Sequence, residues 1–543
     1  MNRGATCLLS DTNHSVNLAS RRYSQIWSCA SIGIESLPVE IETLIVPGLP
    51  RHTLVGLPRG AVRESLDRIL AALRATGMGV PRGAITINLA PADVRKEGTG
   101  FDLPVAISLL GAERQRPWAL DTSKVFITGE LSLEGRIRPV RGVLSMVLRA
   151  RRDGFSTVIV PKDNAAEAGL ISDVQVIPVS TLEGAVLALE GKQTGERLQF
   201  HPPTSEFAPP SNSHPDFSEV RGQQFARRAL EIACAGGHNV LMIGPPGSGT
   251  TMLARRVPSI MPPLTKEEAI EVTRVHSVAG TLPESGLVDR RPFRAPHHTV
   301  SDAGLVGGGS PPQPGDISLA HRGVLFMDEL PEFRRNVLES LRQPLEDGSI
   351  VIRRAESSVR FPARFMLIAA MNPCPCGFFG SDRICTCPPG NLQRYRNRIS
   401  GPLLDRIDLH LEVRPISADA LTNRKMESEP SDAIRSRVLA ARELQLHRYK
   451  QMPGITANAD IPPGRLEFLV RPTEKARSLL RMALRNLDLT PRGYHRVLRV
   501  ARTISDLEGE ERVSDRLVSE ALQYRVVGLY SGVTDAYTSL TNG

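Results

Sequence analysis

The first third of the chain carries apolar and polar positions in short, changing periods. Val39-Glu40-Ile41-Glu42-Thr43-Leu44-Ile45-Val46 follows the period of two of a half-buried strand, and Gly48 and Pro50 close it. Val62, Leu66, Ile69, Leu70 and Leu73 recur at helical spacing and predict an amphipathic helix over 61–76. Strands are predicted over 85–89, 124–129 and 157–161, and a helix over 101–110. Residues 1–31, polar and without a period, read as a loose tail, and 191–215, rich in Pro, Ser, Thr and Gln, as a linker. Beyond them the pattern changes. The runs at 239–243, 323–327 and 365–371 are apolar without alternation, as strands covered on both faces of a parallel sheet require. After a polar linker at 416–431 only the helical period remains, over 433–449, 475–487, 493–508 and 514–524, before a tail at 531–543. The pattern predicts three domains: α/β over 32–190, α/β over 216–415 and helical over 432–530.

Chemistry sits where the apolar runs end. The first run opens into Gly244-Pro245-Pro246-Gly247-Ser248-Gly249-Thr250-Thr251-Met252, and a helical pattern follows. Strand, glycine turn and helix make a phosphate cradle from backbone N–H groups and a helix N-terminus. The motif G-x-x-x-x-G-K-[ST] is met at Gly244, Gly249 and Thr251, but Thr250 stands at its lysine. The second run ends in Asp328-Glu329, which predicts an Mg²⁺-holding Asp and a water-polarising Glu at the carboxyl edge of the sheet. The third ends in Asn372, placed to orient water at a γ-phosphate.

Three other stretches have two readings each. Residues 349–361 form two alternating strands around a polar turn, with Arg353, Arg354 and Arg360 near the tip and sides; they make either a solvated hairpin or a loop gripping nucleic-acid phosphates. Cys374, Cys376, Cys385 and Cys387 give C-x-C-x₈-C-x-C, a structural zinc site or else four reduced thiols or a reversibly oxidising pair. His297-His298 reads as loop structure rather than a metal site, since neighbouring side chains diverge on a strand and no acidic or Cys partner stands at ligand spacing.

Composition narrows the class. The chain has 543 residues, 41% hydrophobic and 23% charged, and a formal charge of +9, compatible with a polyanion partner. No apolar run has the roughly 18–20 residues of a membrane span. Four of its seven cysteines cluster in one loop, which is no secreted disulfide framework. A cytoplasmic protein without a membrane partner is expected.

Taken together, these motifs resemble the YifB/ComM family of magnesium-chelatase-like AAA+ proteins. The resemblance rests on Asn88-Leu89-Ala90-Pro91-Ala92-Asp93, Phe293-Arg294-Ala295-Pro296-His297-His298, Met371-Asn372-Pro373 and Ala501-Arg502-Thr503-Ile504. It implies a Lon-protease-like, S5-like α+β N-terminal domain, a AAA+ core of the helix-2-insert group and a C-terminal helical lid. It also implies a hexamer that binds ATP and Mg²⁺ and drives branch migration on branched or single-stranded DNA. By motif, Asn372 looks like sensor 1, Arg406 like the arginine finger offered to a neighbouring subunit, and Arg492, before Arg496, like sensor 2. Residues 294–309 resemble the helix-2 insertion and the Arg353/Arg354 hairpin the pre-sensor-1 hairpin, both directed into a ring channel. The peptidase serine position is Gly100 and its lysine falls near Met146, so a non-proteolytic domain is expected. Without the motif lysine, hydrolysis is the doubtful step: either an ATP-driven DNA motor or a nucleotide-binding ring with little turnover is implied. A magnesium chelatase subunit is a weaker third reading.

Overall fold

The computed structural model describes residues 22–58, 61–93, 96–114, 117–192, 215–354, 357–379, 383–415, 428–486 and 489–525. The chain divides into two compact units, Met1–Pro202 and Pro203–Gly543. The linker read over 191–215 lies almost wholly outside the described residues, as do the C-terminal tail and most of 416–431.

The first unit is a mixed seven-stranded sheet. Its strands are β1 (Arg22–Ile32), β2 (Glu35–Val46), β3 (Arg51–Val55), β4 (Ala84–Ala90), β5 (Val125–Ile127), β8 (Thr157–Pro161) and β9 (Gln175–Val179). Between β5 and β8 a small hairpin is made by β6 (Glu130–Leu131) and β7 (Ile137–Arg138). The sheet order is β3-β4-β2-β1-β5-β8-β9. The antiparallel half (β1–β2, β2–β4) joins a parallel half through the β1–β5 pair. Helices Ala61–Ala75 and Asp102–Glu113 supply the apolar faces that close its core around Ile41, Ile69, Ile87 and Leu109. The loose tail expected over 1–31 is corrected at its end, since 22–31 belong to β1, paired along its whole length with β2. Ser28, Cys29 and Ala30 are buried there in succession, a run of small side chains that does not announce a strand.

The second unit holds a five-stranded parallel sheet of β10 (Val240–Ile243), β11 (Phe293–Arg294), β14 (Val324–Met327), β17 (Met366–Met371) and β18 (Leu409–Glu412), in the order β11-β14-β17-β10-β18. Every residue of β10, β14 and β17 is buried, as the unbroken apolar runs require. Two two-stranded ribbons stand apart from the sheet: β12 (Gly307–Gly308) with β13 (Gln313–Pro314), and β15 (Ser349–Arg354) with β16 (Ser357–Pro362). The helices Ser431–Tyr449, Glu474–Asn486, Pro491–Leu507 and Asp515–Gln523 do not form a separate core. Val438, Ala441, Val497, Leu498 and Leu517 join Ala229, Ile232 and Val257 of the sheet-covering helices in one hydrophobic cluster. Between β17 and β18 two short helices follow one another: Pro389–Arg396, and Gly401–Leu404, which begins at Gly401-Pro402 because proline suits a first helical turn and not an interior. No helix among the described residues is long and apolar enough to cross a membrane.

Candidate nucleotide site

The phosphate cradle forms at the carboxyl end of β10. Gly244 is pinned between neighbours: its N–H donates to the Met371 carbonyl at 3.2 Å, and a Cβ there would stand 2.4 Å from the Val413 oxygen and 2.5 Å from Ser248 Oγ. Gly247 (φ +82°) and Gly249 (φ +90°) take left-handed conformations that favour glycine. Gly249 caps the helix Thr250–Ile260, whose N-terminus faces the turn. Gln223 bridges the cradle to β18, donating from Nε2 to the Ser248 carbonyl at 3.2 Å and to the Arg414 carbonyl at 2.7 Å. The Ser248 hydroxyl oxygen is buried and has no hydrogen-bond partner. A glycine-rich turn with an unanswered hydroxyl at a helix N-terminus fits a phosphate chain.

The acid pair arrives beside it because the strands are in register. Ile243 pairs with Met371 and Met327 with Ala369, so residues just past β10, β14 and β17 share one edge. Thr251 Oγ1 donates to Asp328 Oδ2 at 2.7 Å, joining turn to acid, and Asp328 Oδ1 accepts the Glu329 N–H at 3.0 Å. These two groups are the ones that could hold Mg²⁺ beside a nucleotide. Glu329 is held at φ +52°, an uncommon conformation for a side-chain-bearing residue and one found at functional positions. Its Oε2 lies 3.1 Å from His298 Nδ1. The sequence reading missed this partner. His297 and His298 follow β11 in a loop, as their sequence suggests, but with their rings 4.1 Å apart and an acidic partner the spacing did not reveal. β11 is the strand next to β14, so adjacent strand ends were the signal available. Asn372 follows β17, half-buried at the same edge.

Neither arginine of the first helical turns stands in for the missing cation. Arg256 is buried, donating to the Asp216 and Met252 carbonyls at 2.8 and 2.9 Å and to Glu219, while Arg255 is exposed. Thr250, half-buried at the first helical position, offers a neutral hydroxyl where the motif has an ammonium.

Arg406 and Arg492 stand elsewhere. Both line a cavity of about 590 Å³ with Asn239, Gly323, Phe365 and Asp408, which precede or begin β10, β14, β17 and β18. That is the amino edge of the sheet, about 13–20 Å of strand from the cradle at 3.3 Å per residue. Arg406 donates to the Pro402 carbonyl at 2.7 Å and to Glu346. That bond to Arg406, reinforced by the charge of Arg492, holds the Glu346 carboxyl below the usual carboxylate range. Arg496 donates to Asp408, which also takes the Asn239 N–H at 3.0 Å. Burial pushes Asp408 up, but Arg496 and His238 hold it well below the usual carboxylate range, so Arg496 belongs to a buried structural pair. The predicted site residues therefore fall into two groups on opposite edges.

On the β15–β16 ribbon, Ile350, Ile352, Val359 and Phe361 face inward, while Arg353 and Arg360 are exposed on the other face. Val351 pairs with Arg360 and Arg353 with Ser358, so the two arginines are diagonal neighbours. Arg354 ends β15 at the tip; its side chain lies outside the described residues. A Cβ on Gly307 of β12 would stand 2.8 Å from Ile352 Cδ1, so the segment following His298 packs on the ribbon's inner face. The thiols of Cys374, Cys376, Cys385 and Cys387 converge with their sulfurs within 4.8 Å of one another, a group that could hold a metal ion. The Phe378 N–H draws the Cys376 thiol below its ordinary range, whereas desolvation pushes Cys385 above it. In the first unit a Cβ on Gly100 would meet Thr128 Oγ1 at 2.9 Å, and Met146 is buried on the helix Val143–Arg152.

A glycine cradle tied to an acid pair on a parallel sheet defines the P-loop class, and comparison with known sequences places it among the magnesium-chelatase-like AAA+ proteins. The family described as magnesium chelatase, subunit ChlI, matches residues 216–421. The families described as subunit ChlI of Mg-chelatase and as the subunit ChlI C-terminal region match 41–164 and 428–525. The chain is 43% identical over 511 residues to Competence protein ComM of Haemophilus influenzae, covering 92% of this chain and 97% of that one. It is 42% identical over 499 residues to the uncharacterized protein YifB of Salmonella typhimurium, covering 92% and 96%. A more distant likeness, 28% over 193 residues, covers 33% of this chain and 24% of the Lon protease of Vibrio parahaemolyticus. The chain belongs to the YifB/ComM family.

Proposed function

We propose that this chain is an ATP-dependent DNA motor, a branch-migration helicase of ring form, whose cofactors are ATP and Mg²⁺ with a structural Zn²⁺ at the four cysteines. In this reading 32–190 is a non-proteolytic Lon-like domain, 216–415 a helix-2-insert AAA+ core and 432–530 a helical lid, in a cytoplasmic homo-hexamer. The observation that carries it is the direct hydrogen bond between Thr251 and Asp328, with Glu329 and Asn372 on the same sheet edge. Bound Mg·ATP supplies the transferable phosphoryl group and the charge that neutralises it. The turn 244–252, including Pro245, Pro246 and Met252, binds the phosphates; Thr251 and Asp328 hold the metal. Glu329 takes the proton of water, and Asn372 orients that water. Arg406 and Arg492, on the far edge from their own cradle, act on a neighbour's nucleotide. Arg353, Arg354 and Arg360 contact DNA phosphates.

A second reading, a nucleotide-binding ring with little turnover, is favoured by Thr250. A hydrogen bond to a charged group contributes about 1.5–3 kcal/mol, so its loss weakens ATP binding about ten- to a hundredfold. The deciding experiment is steady-state ATP hydrolysis by this chain and by Thr250→Lys, each with and without a synthetic four-way DNA junction. The motor reading expects the unmodified chain to turn over ATP and to be stimulated by the junction, and Thr250→Lys to bind ATP more tightly by that factor. An unmodified chain that binds ATP yet does not hydrolyse it, with or without the junction, sinks the motor reading and leaves the binding ring, whether or not Thr250→Lys is active.

A further inference from the structure

The segment after Asn372 runs from Pro373 to Pro388 without regular secondary structure among its described residues, and apolar burial does not hold its far end. Ile384, beside Cys385, is 88% exposed. What gathers the loop is its sulfurs. Cys374 Sγ lies 3.3 Å from Cys376 Sγ and 3.7 Å from Cys385 Sγ, and Cys376 Sγ lies 3.6 Å from Cys385 Sγ. None of the four cysteines is in a disulfide. Four thiolates around a tetrahedral ion with bonds of about 2.3 Å stand about 3.8 Å apart, close to the spacing seen. Cys374 is fully buried, and its sulfur takes the Phe379 N–H at 3.3 Å, the kind of outer hydrogen bond that orients a metal-bound thiolate.

A second observation says what the gathered loop does. Gly377, between Cys376 and Phe378, has φ +86°, and a Cβ there would stand 2.5 Å from Pro246 Cδ and 2.7 Å from Pro246 Cγ. The backbone of the cysteine loop is thus seated on a proline ring of the phosphate turn, and no side chain intervenes. We propose that the four cysteines hold one thiolate-preferring tetrahedral divalent ion, zinc by class, and that the loop it fixes braces the turn 244–251 so that metal occupancy sets the order of that turn. The inference takes only the location of the turn from the nucleotide reading. Binding and order are linked reciprocally, so anything that orders the turn also retains the metal.

The test uses the full chain, metal-loaded and metal-stripped, with Co²⁺ as the spectroscopic probe. One Co²⁺ per chain, with thiolate charge-transfer bands and the intense ligand-field bands of a tetrahedral site, is expected; Cys376→Ser with Cys387→Ser should lose both. Absence of those bands in the unmodified chain overturns the metal site. Amide hydrogen exchange over 244–251 is expected to quicken on the order of tenfold on stripping, with exchange over 22–192 unchanged as the folding control. Gly377→Ala, which keeps all four thiols, should still bind one Co²⁺ while its turn exchanges faster. Normal metal content with an unaltered turn in that variant overturns the brace, even if the stripped chain unfolds. A chain that fails to bind ATP leaves both readouts intact, so failure of the nucleotide reading is told apart from failure of this one.

Discussion

At the scale of single residues, the informative pair is His298 and Glu329. A carboxylate 3.1 Å from an imidazole nitrogen is engaged with that ring, and engagement competes with the approach of a water whose proton Glu329 is to take. As a partly exposed ion pair the contact is worth about 0.2–1 kcal/mol, or roughly up to fivefold in the population of free Glu329. In the Thr250→Lys background, His298→Ala should raise junction-independent ATP hydrolysis by that factor and shrink the stimulation by DNA. Glu329→Gln should remove turnover by about 10²- to 10⁴-fold while ATP binding persists. A fall in basal turnover for His298→Ala would show that the histidine presents Glu329 rather than restrains it. The acids themselves were legible in the sequence because an apolar run ending in Asp-Glu can deliver them to only one edge of a parallel sheet. Their partner was not, since it depends on β11 lying beside β14, a pairing of strands 29 residues apart in neither spacing nor period.

At the scale of elements, the β15–β16 ribbon divides its faces by alternation: Ile350, Ile352, Val359 and Phe361 inward, Arg353 and Arg360 outward. Its inner face carries Gly307, which belongs to the segment that starts after His298. The ribbon's outer arginines are therefore joined by packing to the group that touches Glu329. If they grip DNA phosphates, each removed contact lowers the slope of log K against log salt by about 0.7 on single strands and about 0.9 on duplex. Arg353→Ala with Arg360→Ala should flatten the slope by about 1.4 to 1.8, measured by fluorescence anisotropy across a salt series. An unchanged slope would assign the arginines to a solvated hairpin. Elements of this kind were legible wherever burial was one-sided or complete, as in this ribbon and in β10, β14 and β17. β1 was not, because Ser28, Cys29 and Ala30 are buried in succession on both faces, and a run of small side chains shows no apolar alternation.

At the scale of the whole molecule, the sheet divides the candidate site. The parallel strands place Thr251, Asp328, Glu329 and Asn372 at their carboxyl ends, while Arg406, expected from its motif to serve a neighbouring subunit, and Arg492 line the cavity at their amino ends. No sequence period records this, because the position of Arg492 follows from where the helix Pro491–Leu507 packs on Gln224–Gly236, with Val497 and Ala501 in the same cluster as Ala229 and Ala233. In the ring proposed above, two half-sites on opposite edges of one subunit would be completed by a head-to-tail contact, each edge meeting the other edge of the next copy. That arrangement makes a quantitative prediction in the Thr250→Lys background. Chains carrying Arg406→Ala with Arg492→Ala should be inactive alone, as should chains carrying Glu329→Gln. Mixed in equal amounts and allowed to exchange subunits, they should recover about a quarter of full ATPase activity, since about one interface in four joins an intact arginine edge to an intact acid edge. If the arginines instead served their own subunit's nucleotide, no chain in the mixture would be complete and the activity would stay at background.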